Sequence, residues 1–145
     1  MGVKLGMDAK LYRNTGSYAS PVWNEVKNVK DVTLNLEAGE ADVTTRGNAG
    51  WRANIATLKD ASLEFEMVWD TADDDFTAIR TAFLTNAAIE FAVLDGPVAT
   101  SGSQGLRATM SITNFSRSEA LEEAITVSVT AKVTYSATAP SWIGG

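Results

Sequence analysis

The 145-residue chain contains no cysteine and no histidine. Those two absences together remove disulfide and thiol chemistry, the usual zinc ligands and every histidine-based catalytic triad. Prolines number only three, and no run of eighteen apolar residues is present that would span a membrane as a helix. The first ten residues, MGVKLGMDAK, lack the apolar centre of a secretory signal. The expectation is a soluble protein made in the cytoplasm, with no cofactor, no metal and no membrane partner. Positive charge is also scarce: 12 Lys and Arg stand against 18 Asp and Glu, a net charge of -6. A surface of that sign repels nucleic acid unless a basic patch overrides it, and the sequence holds no such patch. The length fits a single domain, residues 1–145, able to bury about two thirds of its unfolded surface without a covalent staple.

What the chain does contain is strict two-residue alternation. It is clearest in AITVSVTAKVTY, where Ile125, Val127, Val129, Ala131, Val133 and Tyr135 share one face and Thr126, Ser128, Thr130, Lys132 and Thr134 the other. The same pattern runs through Leu5, Met7, Ala9 and Leu11; Val32, Leu34 and Leu36; Leu63, Phe65, Met67 and Trp69; Ile89, Phe91 and Val93; and Leu106, Ala108, Met110 and Ile112. Six or more strands of this kind predict a mainly β protein, an antiparallel sandwich or barrel. Helical spacing occurs once, at Phe76, Ile79, Phe83 and Leu84, with acceptors crowded from Thr71 to Asp75. It predicts one amphipathic helix on the flank of the sheet, about 73–86. A short helical turn is expected within SRSEALEEA, 116–124, and a C-terminal tail at 136–145. Residues 37–53 are longer than a hairpin needs, yet carry Val43, Thr44 and Thr45, so a projecting hairpin arm is expected.

Several candidates for chemistry have simpler explanations. WDTADDD, Trp69 to Asp75, suggests a calcium loop, but the sixth and twelfth places counted from Asp70 hold Asp75 and Thr81 instead of Gly and Glu. Acidic residues at a helix N-terminus are accounted for by the helix dipole. The loop DGPVATSGSQG spells neither phosphate-binding pattern. Asn114-Phe115-Ser116 matches a glycosylation sequon without any secretion signal to support it. Glu64 and Glu66 alternate with Leu63, Phe65 and Met67, which puts both carboxylates on one face about 6.5 to 7 Å apart. That spacing suits a glycosidase pair, but no aromatic platform accompanies it.

The arm has no such explanation. Trp51 lies between Gly50 and Arg52 at the tip of a polar segment, where a core role is awkward, and large aromatics beside Arg are enriched in interfaces. Trp142 and Ile143 repeat the pattern in a tail with no evident reason to be ordered. Both point to contacts with a partner.

The run from Lys30 to Phe83 resembles the tail tube, or major tail, proteins of long-tailed bacteriophages. The likeness lies in a DVTTR…GWR arm, the following LKDASLEFEMVWD and the amphipathic helix. It covers the middle of the chain; the first strand and the last two are compatible without being diagnostic. The resemblance implies a structural protein rather than an enzyme. Six copies would form a ring, and rings would stack into a continuous β-barrel lumen that passes DNA without specific binding. It further implies assembly in the host cytoplasm, a place in the virion tail, and tape measure, tail tip and terminator proteins as partners besides the chain itself. Related tubes occur in gene transfer agents and contractile injection particles. On this reading Thr44, Arg46, Trp51 and Arg52 form the inter-subunit arm, and Pro140, Trp142 and Ile143 anchor the tail on a neighbour. Glu64, Glu66 and Glu90 are candidates to face the lumen, where a charge of about -36 per six copies, six times the chain's own, would repel phosphate. The alternatives are a monomeric β-sandwich binding module and a small hydrolase using Glu64 and Glu66.

Overall fold

The computed structural model describes residues 3, 6, 9–119 and 121–144. In chain order the elements are β1 (Lys10–Asn14), β2 (Trp23–Glu25), β3 (Val29–Asp42), β4 (Asn54–Val68), α1 (Asp74–Thr85), β5 (Ala88–Leu94), β6 (Gly105–Ser118), β7 (Thr126–Val133) and β8 (Ser141–Ile143). They form one antiparallel eight-stranded sheet in the order β2-β1-β5-β6-β7-β4-β3, with β8 beside the start of β6. Among the described residues the protein is mainly β with a single α-helix, as the alternation and the one helical spacing predict.

Alternation also decides which face carries the core. Leu63, Phe65 and Met67 of β4, Val127, Val129 and Ala131 of β7, Ala108, Met110 and Ile112 of β6 and Phe91 of β5 are buried together. The Phe65 and Phe91 rings meet edge-on at 6.0 Å, although β4 and β5 are three strand positions apart, about 14 Å on a flat sheet. The sheet is therefore strongly curled around this face. Its two edge strands, β2 and β3, are consecutive in the chain and joined by Val26, Lys27 and Asn28 alone. Asn28 accepts from Val68 N at 2.9 Å while Val26 N donates to Leu11 O at 2.8 Å. The connector thus bridges the two ends of a curled sheet that does not close into a barrel.

The helix covers one end of this core. Asp73 caps it by accepting from Phe76 N at 3.0 Å, Asp74 and Asp75 sit in its first turn, and Asn86 in the left-handed region ends it. Phe76, Ile79 and Ala82 are buried. Trp69 packs edge-on to Phe76 at 4.8 Å, and Phe83 stacks on Phe115 at 6.0 Å. Leu84, expected on the apolar stripe, is exposed, because Phe83, one residue round the helix, takes the contact with the sheet.

Other differences have equally local reasons. β1 begins at Lys10; Leu5 and Met7, expected in that strand, lie outside the described residues. Val32 does not continue the core face: Asp31 adopts φ 53 at an irregularity between Lys30 and Thr33, so Val29 and Leu34 pack inward and Val32 is exposed. No helical turn forms at Ser116–Ser118, which continue β6 opposite Ser128, Val127 and Thr126. The ladder with β7 outweighs local helical preference there. Tyr135 is exposed past the end of β7, where the chain leaves the sheet to return as β8.

One glycine is fixed by close approach. A Cβ at Gly105 would fall on the Val93 carbonyl, because Gly105 starts β6 directly opposite Leu94. Gly105→Ala is expected to destabilise the fold by about 3 kcal/mol, read as a lower urea midpoint.

Candidate assembly surfaces

β4 pairs with β7 only from Ser62 onward, whereas the β3–β4 ladder runs on from Glu37↔Asp60 to Asp42↔Asn54. Residues 37–60 therefore project as a two-stranded ribbon, the arm expected from the sequence. Its tip is built, not slack. Asp42 Oδ1 accepts from Thr44 N at 2.8 Å, Thr44 Oγ1 accepts from Ala53 N at 2.9 Å, and Thr45 caps a 3-10 turn at Arg46–Asn48. Ala49 (φ 52) and Gly50 (φ 88) then reverse the chain, and Trp51 N closes on Asn48 O at 3.0 Å. The result presents Trp51 78 % exposed, flanked by exposed Arg46 and Arg52. Val43, Ile55 and Leu58 on the ribbon are exposed as well, as is Leu36 just before it.

The structure changes the part played by Thr44, whose hydroxyl is engaged within the tip. Thr45, expected to favour extended structure, instead caps the turn, and Asp42 shapes the same turn without having been singled out in the sequence. Side-chain and backbone hydrogen bonds from Thr44 hold the Asp42 carboxyl below its ordinary value. A depressed carboxyl contributes order that is fully present above the unfolded-state pKa and is lost as pH falls through the folded-state pKa. The protection of the Thr44 amide, its exchange rate relative to the intrinsic rate at the same pH, is therefore expected to fall as the Asp42 carboxylate is protonated in acid, and Asp42→Asn should remove that pH dependence.

Across β3, β4 and β7 the face opposite α1 is polar, whereas at β1 and β5 it carries a second buried apolar cluster of Tyr12, Ala92 and Leu94, beside which the Glu90 side chain is buried. Glu64, Glu66 and Glu90 all lie on it, beside hydroxyl residues: Glu64 is opposite Thr33 and Thr130, Glu66 opposite Ser128, Glu90 opposite Thr109. The three carboxylates differ in their partners. Glu66 pairs with Lys30 at 3.4 Å. Glu90 is bound to Arg107 and accepts from Asn14 Nδ2 at 2.6 Å, while the Arg107 guanidinium lies 3.6 Å over the Tyr18 ring. Glu64 makes no ion pair among the described residues. Most of the acidic charge expected here is thus neutralised in place.

The acidic run before α1 is likewise structural. Asp70 Oδ1 accepts from Ala72 N at 3.0 Å and Asp73 caps the helix. Asp75, 4 % exposed, accepts from Arg13 Nε at 2.8 Å and from Asn24 Nδ2 at 3.0 and 3.1 Å. This clamp ties α1 to β1 and β2. Its sequence signal was Arg13, two residues beyond Leu11 and so on the apolar side of β1. Among the described residues no acidic group is arranged to hold a metal.

The C-terminal segment does have a reason for order within its own chain. As β8 it pairs Ile143 with Gly105, Trp142 with Leu106 and Ser141 with Arg107. Ile143 packs beside Tyr12, Ala92 and Leu94, and Trp142 Nε1 donates to Gln104 Oε1 at 3.2 Å. Trp142 nevertheless stays half exposed, and Pro140 lines a groove at the root of the arm.

A model of the phage tail tube protein family matches residues 9–138. The chain belongs to that family. It is a structural component of a virion tail. Solved tail tube structures share its fold. The tail of an empty gene transfer agent particle, refined with C6 symmetry, matches with a TM-score of 0.75 at 18 % identity, over 98 % of this chain and 100 % of that one. The SPP1 tail tube matches with 0.74 at 16 %, over 99 % and 80 %. The baseplate of the anti-feeding prophage matches with 0.58 at 8 %, over 94 % and 91 %. No curated protein sequence matches the chain.

Proposed function

We propose that copies of this tail tube protein close into six-membered rings, that the rings stack, and that the sheet face opposite α1 lines the lumen through which DNA passes. The observation that carries the reading is the projecting arm: a ribbon with an ordered tip that offers Trp51, Arg46 and Arg52 to nothing in its own chain. Sixfold closure is supported by the symmetry of the gene transfer agent tail. Ring closure would also cover the free edge of β3, a liability in a monomer.

A wall of hydroxyls with paired charges suits DNA transit. Glu66 and Glu90 are balanced by Lys30 and Arg107, Glu64 shares its face with Lys132, and among the described residues no row of unpaired lysines lines this face to release counterions and hold phosphate. The role is that of a conduit, not an enzyme. Trp142, with Pro140 and Ile143 behind it, offers a further contact to a neighbouring copy. Tape measure, tail tip and terminator proteins are its expected partners at the tube ends.

Negative-stain microscopy of purified protein, with size-exclusion chromatography across a concentration series, tests the proposal. Tubes or rings with sixfold averages are the expected result. A strictly monomeric species at high concentration would overturn it in favour of a β-sandwich binding module.

A further inference from the structure

We infer that Arg107 latches the β1–β2 loop, Thr15–Val22, to the C-terminal strand β8, so that the two segments open and close as one unit. The loop is organised from the residue before it: Asn14 Oδ1 accepts from Gly16 N at 2.8 Å and from Val22 N at 3.0 Å, and Asn14 Nδ2 donates to Ser17 O at 3.0 Å. Thr15 N closes it by donating to Val22 O at 2.8 Å. The return is tight, because a Cβ at Gly16 would lie 2.6 Å from Ser20 O.

Loop and strand meet at Arg107. Its backbone stands opposite Ser141 in the β6–β8 ladder, while its side chain, largely buried, donates from Nε to Glu90 and from Nη2 to Tyr18 O. The guanidinium carbon lies 3.6 Å from the centre of the Tyr18 ring and 5.1 Å from that of Trp23. Tyr18 completes the circuit, with its hydroxyl 3.3 Å from Ser141 Oγ. One arginine thus carries β8 on its backbone and the loop on its side chain.

Neither segment is strongly held by itself. β8 has three residues, fastened by Ile143 beside Tyr12 and Leu94 and by the Trp142–Gln104 hydrogen bond, and the loop is fastened by polar contacts. Segments with few buried apolar contacts lie at the low end of local stability, so a shared contact is a large part of what holds each. Glu90 keeps the guanidinium in place whichever segment opens. An opened loop therefore leaves Nη2 without its carbonyl and the cation without its ring, and closing it again restores both. Coupling of this kind is reciprocal. Whatever grips the loop also biases how β8 holds its half-exposed Trp142, although Tyr18 and Ser141 are 123 residues apart in the chain.

Native-state amide exchange on the full chain, kept dilute so that it is monomeric, reads the latch directly and does not depend on tubes forming. Tyr18→Ala is expected to speed exchange of the β8 amides by about tenfold, the loss of a charge-assisted contact, while α1 and β7 keep wild-type protection. Deleting residues 141–145 should speed exchange at Gly16 and Val22 by a comparable factor. Tyr18→Phe removes only the hydroxyl contact with Ser141 and should do less than Tyr18→Ala; an equal effect would mean that the hydroxyl, not Arg107, joins the two segments. Arg107→Lys keeps a cation for Glu90 but loses the planar fork and the ring stack, and is expected to release loop and β8 together. Wild-type protection of β8 in Tyr18→Ala would overturn the latch, and so would an equal loss at α1, which would mark general destabilisation. The tyrosine and truncation results decide the matter even if Arg107→Lys does not fold.

Discussion

Asp75→Ala is expected to lower the stability of the monomer by about 3–5 kcal/mol, the usual cost of removing one partner from a buried ion pair. Three hydrogen bonds converge on this carboxylate, one from Arg13 and two from Asn24. Arg13 sits on the core side of β1 with its side chain 14 % exposed, so the variant leaves a guanidinium largely out of water with no counter-charge. The second loss is mechanical, since the clamp is what fastens the first turn of α1 to the edge of the sheet. Asp75→Asn keeps the volume and removes the charge, and should show most of the same loss. In a protein of this length the alanine variant should melt roughly 10 °C or more below wild type. A shift of a degree or two would mean that the clamp is dispensable.

Trp51→Ala is expected to abolish tubes while leaving the monomer's melting temperature unchanged. The indole is mostly exposed in the single chain, so truncation removes little that the fold uses. The tip is held by backbone and by Asp42, Thr44 and Thr45, none of which the change touches. In the assembly the same indole would anchor every subunit contact of its kind. Interface aromatics of that type cost 2 kcal/mol or more when removed, about 30-fold per contact, and the penalty recurs at each copy added. Sedimentation and microscopy at the wild-type assembly concentration give the readout. Tubes of normal length from this variant would sink the connector role of the arm.

Much of the fold was legible in the residues. Alternation located every long strand because the side-chain period of a strand is fixed at two and one face is buried. The helix was legible from Phe76 and Ile79 at helical spacing behind a crowd of aspartates. The arm, its Trp51 and its two arginines stood out because Trp51 sits between Gly50 and Arg52 in a polar segment where a core role is awkward. Failures came where a long-range partner outweighed a local preference: Ser116–Ser118 joined β6 because β7 lies alongside, and Ser141–Ile143 became β8 because the first residues of β6 had an unpaired side.

Composition and period by themselves determined that this is a mainly β chain with one helix and a projecting ribbon, free of thiol and histidine chemistry. Those properties follow from local sterics and residue inventory. Only the tertiary structure decided that the sheet curls until Phe65 meets Phe91, since the sequence records which residues turn inward but not how far apart strands come together. The partners of the charges were decided there too. Asp75 in a helical acidic run, Glu90 on a polar face and Glu66 two residues from Glu64 look alike as carboxylates. Arg13, Arg107 and Lys30 reach them from strands 17 to 62 residues distant, and an electrostatic role depends on that distance in space, which residue order does not carry.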